Sequence, residues 1–373
     1  MWTLARKILL HDRIKFAVAS AGVSISVMMV LVQIGLYQGF METASTVIDH
    51  GRAAVWVASE GSESFDFPAA IDDRTFYRVA STPGVARAER MLMAFGQLKL
   101  ADGGDLGVQV IGVEAGGRLL RPWSVIDGDP RRLGEPGAIT VDRSEWPKLH
   151  IDRVGHRTEI SGARAEVIAL TRGIRSFTTS PLVFTDLDSA RAFTRLPPET
   201  STYVLVEPAP GVAPPVLRDR LRDIPHVEAW TQGELSERTR TYWSSRTGVG
   251  AGFFTTAVLG IIVGLVVVGQ ILYNGTLEHL REYGTLKAMG ARNSAVVRVI
   301  LYQALLSAAV GFAAGSLLAV GSRAAMAGAN LNVALSPALF VATAIVTTAM
   351  CALAALLSII KVLRLDPATV FRS

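Results

Sequence analysis

The sequence predicts an α-helical membrane domain of four spans, with a mixed α/β extracytoplasmic domain inserted between the first and second. Three observations predict it. Four apolar windows, residues 16–41, 248–277, 294–322 and 337–360, are long enough to cross a bilayer. Between the first two lie roughly 200 residues, 42–246, that alternate short strand-like and helix-like segments. Only 18% of the residues are charged while 50% are hydrophobic, against an ordinary charged fraction of about 25%, and the deficit is concentrated in the four windows.

The first window, Phe16 to Met41, has about 26 uncharged residues and follows Arg6, Lys7, Arg13 and Lys15. A cleaved signal peptide has a shorter apolar region of about 7–15 residues, so the window is expected to be a retained anchor behind a cytoplasmic segment, 1–15. The second window holds about 30 residues, or roughly 45 Å of helix against a hydrocarbon core of about 30 Å. It should tilt or project beyond the membrane. Basic residues set the orientation. They precede the first span, fill the stretch between the second and third (Arg281, Lys287, Arg292, Arg298) and follow the fourth (Lys361, Arg364, Arg372). The loop 323–336 has only Arg323. Both termini, with the tail 361–373, are therefore expected in the cytoplasm, and residues 42–246 outside it.

Three GxxxG pairs, Gly35 and Gly39, Gly260 and Gly264, Gly311 and Gly315, allow close helix approach. They serve packing within one subunit or a dimer interface, and the pattern does not choose. The polar side chains Gln33, Gln38, Gln270 and Gln303 read as interhelical hydrogen-bond partners. No span carries a central Asp, Glu, Lys or Arg, which argues against an ion-coupled transporter. Cys351 is the single cysteine, so no intrachain disulfide forms. The net charge of +5 reads as topology rather than nucleic-acid affinity.

In the inserted domain, Ala53–Ala58 reads as a strand and Asp73–Ser81 as a short helix. Met91–Leu100 and Gly107–Glu114 flank the turn Asp102-Gly103-Gly104-Asp105, and Thr158–Ile160 and Ala165–Leu170 flank Ser161-Gly162; both read as hairpins. Leu182–Thr185 is a strand, Asp186–Thr194 a helix capped by Asp186 or Asp188, Thr202–Val206 a strand, Pro214–Arg222 a helix and Val227–Trp230 a strand. Glu234–Arg246 is helical in character and is expected to join the second span as one long rod, a stalk starting near 234. There is no HExxH and no G-x-S-x-G. His150 and His156 read as surface histidines, Asp72, Asp73, Asp127 and Asp129 as caps and turn formers, and Met91 and Met93 as core. No catalytic residue, cofactor or metal ligand is expected, and the chain has no GxxxxGK[ST], so any ATPase is a separate polypeptide.

The stretch Gln270–Arg298 is the most informative. It carries Glu278, His279, Arg281, Glu282, Lys287, Arg292 and Arg298, and each charge costs roughly 2.5–3.5 kcal/mol at a bilayer centre. It must therefore be a polar connection outside the lipid, residues 278–292. Thr276 is expected to cap a short helix reaching Tyr283, Gly284 to break or bend it, Gly290 to end a second turn, and Asn293 to cap the next span.

Leu280–Val320, LREYGTLKAMGARNSAVVRVILYQALLSAAVGFAAGSLLAV, resembles the E-(Y/I)-(G/A)-x-L-(K/R)-A-x-G segment of the permeases of MacB-type ABC transporters, in the FtsX-like superfamily. RTYWSSRTGVGAGF, VVVGQILY, EYGTLKAMG and the closing RLDPATVF are similar to the DevC branch. The resemblance covers residues 240–373 in detail and the inserted domain in outline. It departs from MacB itself, which carries a fused ATPase. It implies a homodimeric permease of a bacterial inner membrane, with two cytoplasmic ATPase subunits that bind ATP and Mg. It further implies a periplasmic membrane-fusion adaptor, a TolC-like outer-membrane duct, and a lipid, glycolipid or other amphiphile as cargo. Within it, Glu278, Arg281, Glu282, Tyr283, Gly284, Leu286, Lys287, Met289 and Gly290 form a coupling helix that docks on the ATPase. An FtsX-like regulator of an extracytoplasmic partner and a lipoprotein-release permease are the alternatives the same resemblance carries.

Overall fold

The computed structural model describes residues 13–176, 180–279, 282, 284–285, 292–328 and 331–363. Its elements in chain order are α1 (Arg13–Ala44), α2 (Thr46–His50), β1 (Val55–Ser59), β2 (Ile71–Asp72), α3 (Asp73–Ala80), β3 (Val85–Lys99) and β4 (Asp105–Val113). Then come β5 (Val125–Gly128), β6 (Ala138–Asp142), α4 (Trp146–Leu149), β7 (Arg157–Ile160), β8 (Ala163–Thr171), β9 (Leu182–Asp186) and α5 (Leu187–Thr194). β10 (Thr200–Ser201), β11 (Tyr203–Pro208), α6 (Pro214–Arg222), β12 (Val227–Thr231) and α7 (Gln232–Thr241) lead to a π-helical turn, Tyr242–Arg246. α8 (Val249–Glu278), α9 (Asn293–Gly328) and α10 (Pro337–Leu363) follow. The chain divides into two compact units, Phe40–Gly248 and the remainder.

In the second of these units, α1, α8, α9 and α10 are long and apolar enough to cross a membrane. Their shared core joins Val23, Val27 and Leu31 of α1 to Val268, Ile300, Ala304 and Cys351. α1 is the most enclosed, and small residues make that possible. Ser20, Ser24 and Ser26 are buried on it. The Ser24 hydroxyl donates to Ser20 O at 2.7 Å, and Ser26 donates across to Gly260 O at 2.7 Å. Such back-bonded and bridging hydroxyls satisfy polar atoms where no water reaches them.

Phe40–Gly248 is built on a sheet of ten strands among the described residues, in the order β12-β1-β11-β3-β4-β9-β6-β8-β5. β7 pairs with both β8 and the far end of β3, where Leu98 faces Ile160, so β3-β4-β9-β6-β8-β7 closes into a ring. Among the described residues, only β4 with β9 and β6 with β8 run parallel. Alternation along β3 and β4 assigns the faces. Leu92, Leu98, Val108 and Val110 join one core with Phe193 of α5. Met91, Met93 and Ile111 join a second with Trp56, Phe65, Phe184 and Tyr203. Both methionines are buried, as their alternation predicts.

The turn chemistry works as read. Gly104 N donates to Asp102 Oδ1 at 2.9 Å, with Gly103 at φ 89°. Ser161 (φ 51°) and Gly162 (φ 88°) make a left-handed pair suited to a two-residue hairpin. Asp72 caps α3 through Thr75 N, and Asp186, not Asp188, caps α5 through Ser189 N. Two strands of the ten-stranded sheet were not foreseen. β6 is buried at all five positions between β8 and β9, and β5 lies at the sheet edge.

One expectation is corrected. The rod from Glu234 into the second span is not continuous. α7 ends at Thr241, the π-helical turn follows, and Gly248 adopts φ 74° before α8 starts at Val249. A left-handed residue cannot continue a right-handed helix, and glycine is the residue that occupies that conformation without penalty.

Candidate functional site

The polar connection after α8 differs from its sequence reading in two places. Thr276 does not cap a new helix: it lies inside α8, buried, and α8 runs on through Glu278. Gly284 and Thr285 have helical backbone, and Gly284 is buried. Asn293 is the first residue of α9 rather than its cap. Lys15 of α1 is paired with Glu278, which gives this predicted contact residue an intramolecular partner. The pair is exposed, so it contributes no more than about 1 kcal/mol. His279 Nδ1 lies 3.1 Å from Glu282 Oε1, while Glu282 itself remains exposed. Arg281, Tyr283, Leu286, Lys287, Met289 and Gly290 lie outside the described residues.

The six glycines of the GxxxG pairs all face neighbours in their own chain. An ideal Cβ on Gly35 would stand 2.8 Å from Val333, and one on Gly39 would strike the backbone of Asn332. On Gly260 it would meet Met29 at 3.1 Å, on Gly264 Ser26 Oγ at 2.6 Å and Met350 Sδ at 2.9 Å. Gly311 faces Val23 and Gly315 faces Val27 and the backbone of Ser24. Close intrachain approach thus accounts for all three pairs, and the small-residue face of α1 receives four of these glycines.

A second constellation, absent from the sequence reading, surrounds α7 and the π-helical turn. Residues 62–67 strap one side of it. Arg238 Nη2 donates to Ser62 O at 3.1 Å, Phe65 N donates to Thr239 Oγ1 at 3.3 Å, and Arg246 Nη1 lies 2.7 Å from Glu63 Oε1. At the centre, Trp243 Nε1 donates to Asp66 Oδ2 at 2.9 Å, and Gln109 Nε2 to Asp66 Oδ1 at 3.0 Å. The Trp243 ring packs against Phe40 and Phe67. On another side, Asp49 accepts from Arg240 Nη2 at 2.8 Å and from Ser236, while Gln232 Nε2 donates to Ile48 O and Gly51 O at 2.8 and 2.9 Å.

Asp66 is almost fully buried. Burial raises its pKa from 3.8 to about 6, against the opposing pull of the Trp243 and Gln109 donors. π-helical turns are rare and frequently mark functional sites. Nothing in the sequence pairs Asp66 with a tryptophan 177 positions away; the local signal is only an acid between two phenylalanines.

His150 and His156 do not converge. His156 Nδ1 pairs with Asp152 at 3.0 Å, and His150 ends α4 in a left-handed conformation. Among the described residues no group of three or more His, Cys, Asp or Glu is placed to hold a metal.

A helix, an inserted sheet domain and three further spanning helices define a class, the ABC transporter permeases with a large domain after their first span. Residues 16–224 match the family model of the MacB-like periplasmic core domain, and residues 254–367 that of the FtsX-like permease C-terminal domain. The chain belongs to the MacB-type, FtsX-like ABC transporter permeases. It is similar to an uncharacterised ABC transporter permease of Mycobacterium tuberculosis, found in strains CDC 1551 and H37Rv. The identity is 24% over 298 residues, 78% of this chain and 77% of that one. Among solved structures it resembles the periplasmic region of MacB from Actinobacillus actinomycetemcomitans, at TM-score 0.37 and 9% identity, over 51% of this chain and 94% of that one. The extracellular domain of the noncanonic ABC-type transporter YknZ from Gram-positive bacteria matches at TM-score 0.34 and 11% identity, over 48% and 99%. Permeases of this family are multi-pass transporter subunits served by an ATPase partner.

Proposed function

We propose that this chain is the permease subunit of an exporter in which a separate cytoplasmic ATPase, binding ATP and Mg, drives a conformational change in the periplasmic domain 42–246. Two copies form a homodimer in a bacterial inner membrane, with both termini cytoplasmic. The stretch 278–292 docks on the ATPase, through Glu278, Arg281, Glu282, Tyr283, Gly284, Leu286, Lys287, Met289 and Gly290. The cargo is a lipid, glycolipid or other amphiphile, passed to a membrane-fusion adaptor and a TolC-like duct, as in the DevC branch.

The observation that carries this reading is the short connection in sequence between α7 and α8. α7, which two sets of side chains strap to the sheet domain, leads through the π-helical turn and the helix break at Gly248 into α8, which is long and apolar enough to span. A segment with a polar end at 278–292 and a strapped end at 232–246 suits the transfer of movement. Gly248, at φ 74°, interrupts the helix between the two elements.

The test is to purify the full chain with its ATPase partner and the adaptor. The adaptor is expected to bind the chain and raise ATP turnover. An adaptor that neither binds nor alters turnover removes the tripartite exporter.

A further inference from the structure

The sheet domain holds a cleft of about 500 Å3 with an unusual charge balance. His50, Arg52, Arg118 and Arg121 line it around Trp123, and among the described residues no carboxylate does. A larger cleft of about 760 Å3 makes a useful contrast. Its Arg90 is already paired with Asp73 and Glu114, and its Arg191 with Asp188.

In the smaller cleft, Arg52 and Arg118 are exposed and, among the described residues, have no ion-pair partner. The nearest acids are engaged elsewhere. Glu89 is buried, and its carboxylate accepts from Arg118 N at 2.8 Å and Leu119 N at 2.9 Å, fixing the loop that carries Arg118. Asp49 is held by Arg240 and Ser236. Arg121 is anchored by its guanidinium to Gly116 O and Gly117 O.

The wall of the cleft is rigid. The His50 ring stacks on Trp123 at 4.3 Å and 5°, and Trp123 packs edge-on against the core residue Phe184. His50 Nδ1 faces Thr46 O at 2.9 Å. A carbonyl only accepts, so Nδ1 carries a hydrogen and the ring is fixed as part of the aromatic wall, while the donors to an anion are the arginines. Guanidinium groups recognise phosphate through paired donors, and here they flank an aromatic wall.

We infer that this cleft binds the phosphate of an anionic amphiphile's headgroup, held by Arg52 and Arg118 beside the His50–Trp123 stack. The assignment deepens the export reading and rests on it for the amphiphile being cargo.

The test is calorimetric titration of the full chain in neutral maltoside micelles. Three probes are used: dihexanoyl phosphatidylglycerol, its phosphatidylcholine counterpart, and inorganic phosphate. The phosphatidylglycerol is expected to bind, and Arg52→Gln with Arg118→Gln to weaken it at least about tenfold. Arg52→Lys with Arg118→Lys keeps the charge and is expected to stay within about threefold to tenfold, showing that the fold survives. Competition by inorganic phosphate makes the phosphate alone the recognised group; no competition makes the lipid headgroup the source. Binding that the glutamine variant leaves unchanged, equal binding of phosphatidylcholine, or no binding of either anionic probe overturns the site. The ATPase is absent from this titration, so such a failure leaves export standing if the chain still raises ATP turnover.

Discussion

Asp66 is where burial and chemistry conflict most sharply. It is enclosed by Gln109, Trp243 and the Phe65–Tyr203 stack, and its pKa is raised to about 6. The folded domain therefore holds a proton that the unfolded chain releases above about pH 4. Stability that is fully present below that pH is lost as the pH rises through 6. The loss is about 2–3 kcal/mol for a shift of this size. Asp66→Asn keeps an acceptor for Trp243 and removes the titration. In thermal unfolding of the full chain, the variant is expected to gain on the wild type between pH 4.5 and 7. Parallel pH curves would show that Asp66 ionises freely. Local sequence did not reveal this residue, because its partners come from positions 109 and 243. Residues whose partner is a neighbour were legible. Asp72, Asp102 and Asp186 all work within three residues of themselves, as caps and turn formers do.

At the scale of elements, the same distinction holds. The helix Pro214–Arg222 and both hairpins were readable because proline and glycine punctuate them. β6 was missed because AITVD is buried at every position and gives no period of two, as expected for a strand with a parallel neighbour inside a sheet. The straight rod was overestimated because helical composition runs unbroken to Arg246, while the break comes from a single glycine at 248. The spanning helices allow a sharp test of packing. Gly264 faces Ser26 and Met350, whereas a Cβ on Gly275, also in α8, would meet nothing within 4 Å. Gly264→Leu is expected to destabilise the chain by about 1–3 kcal/mol through overpacking. Gly275→Ala is expected to be neutral, or to gain up to about 1 kcal/mol from helix propensity. Melting of both variants in the same detergent checks this, and equal effects would contradict the packing assigned to Gly264.

For the whole molecule, the four apolar windows and the inserted domain were legible because lipid imposes length and composition directly. The closed ring of strands was not, since pairings such as β3 with β7 and β4 with β9 join segments far apart in sequence. The central claim is that the stretch after α8 receives force from an ATPase and passes it along α8. Glu282 is exposed there, free to meet a partner surface while its neighbour His279 stays beside it. The most direct measurement is ATP turnover by the partner ATPase, alone and with the full chain in lipid nanodiscs, for the wild type and for Glu282→Ala with Lys287→Ala. The wild type is expected to raise turnover several-fold, and the double variant to assemble normally while losing that increase. Equal turnover by the wild type, the double variant and the ATPase alone would contradict the account.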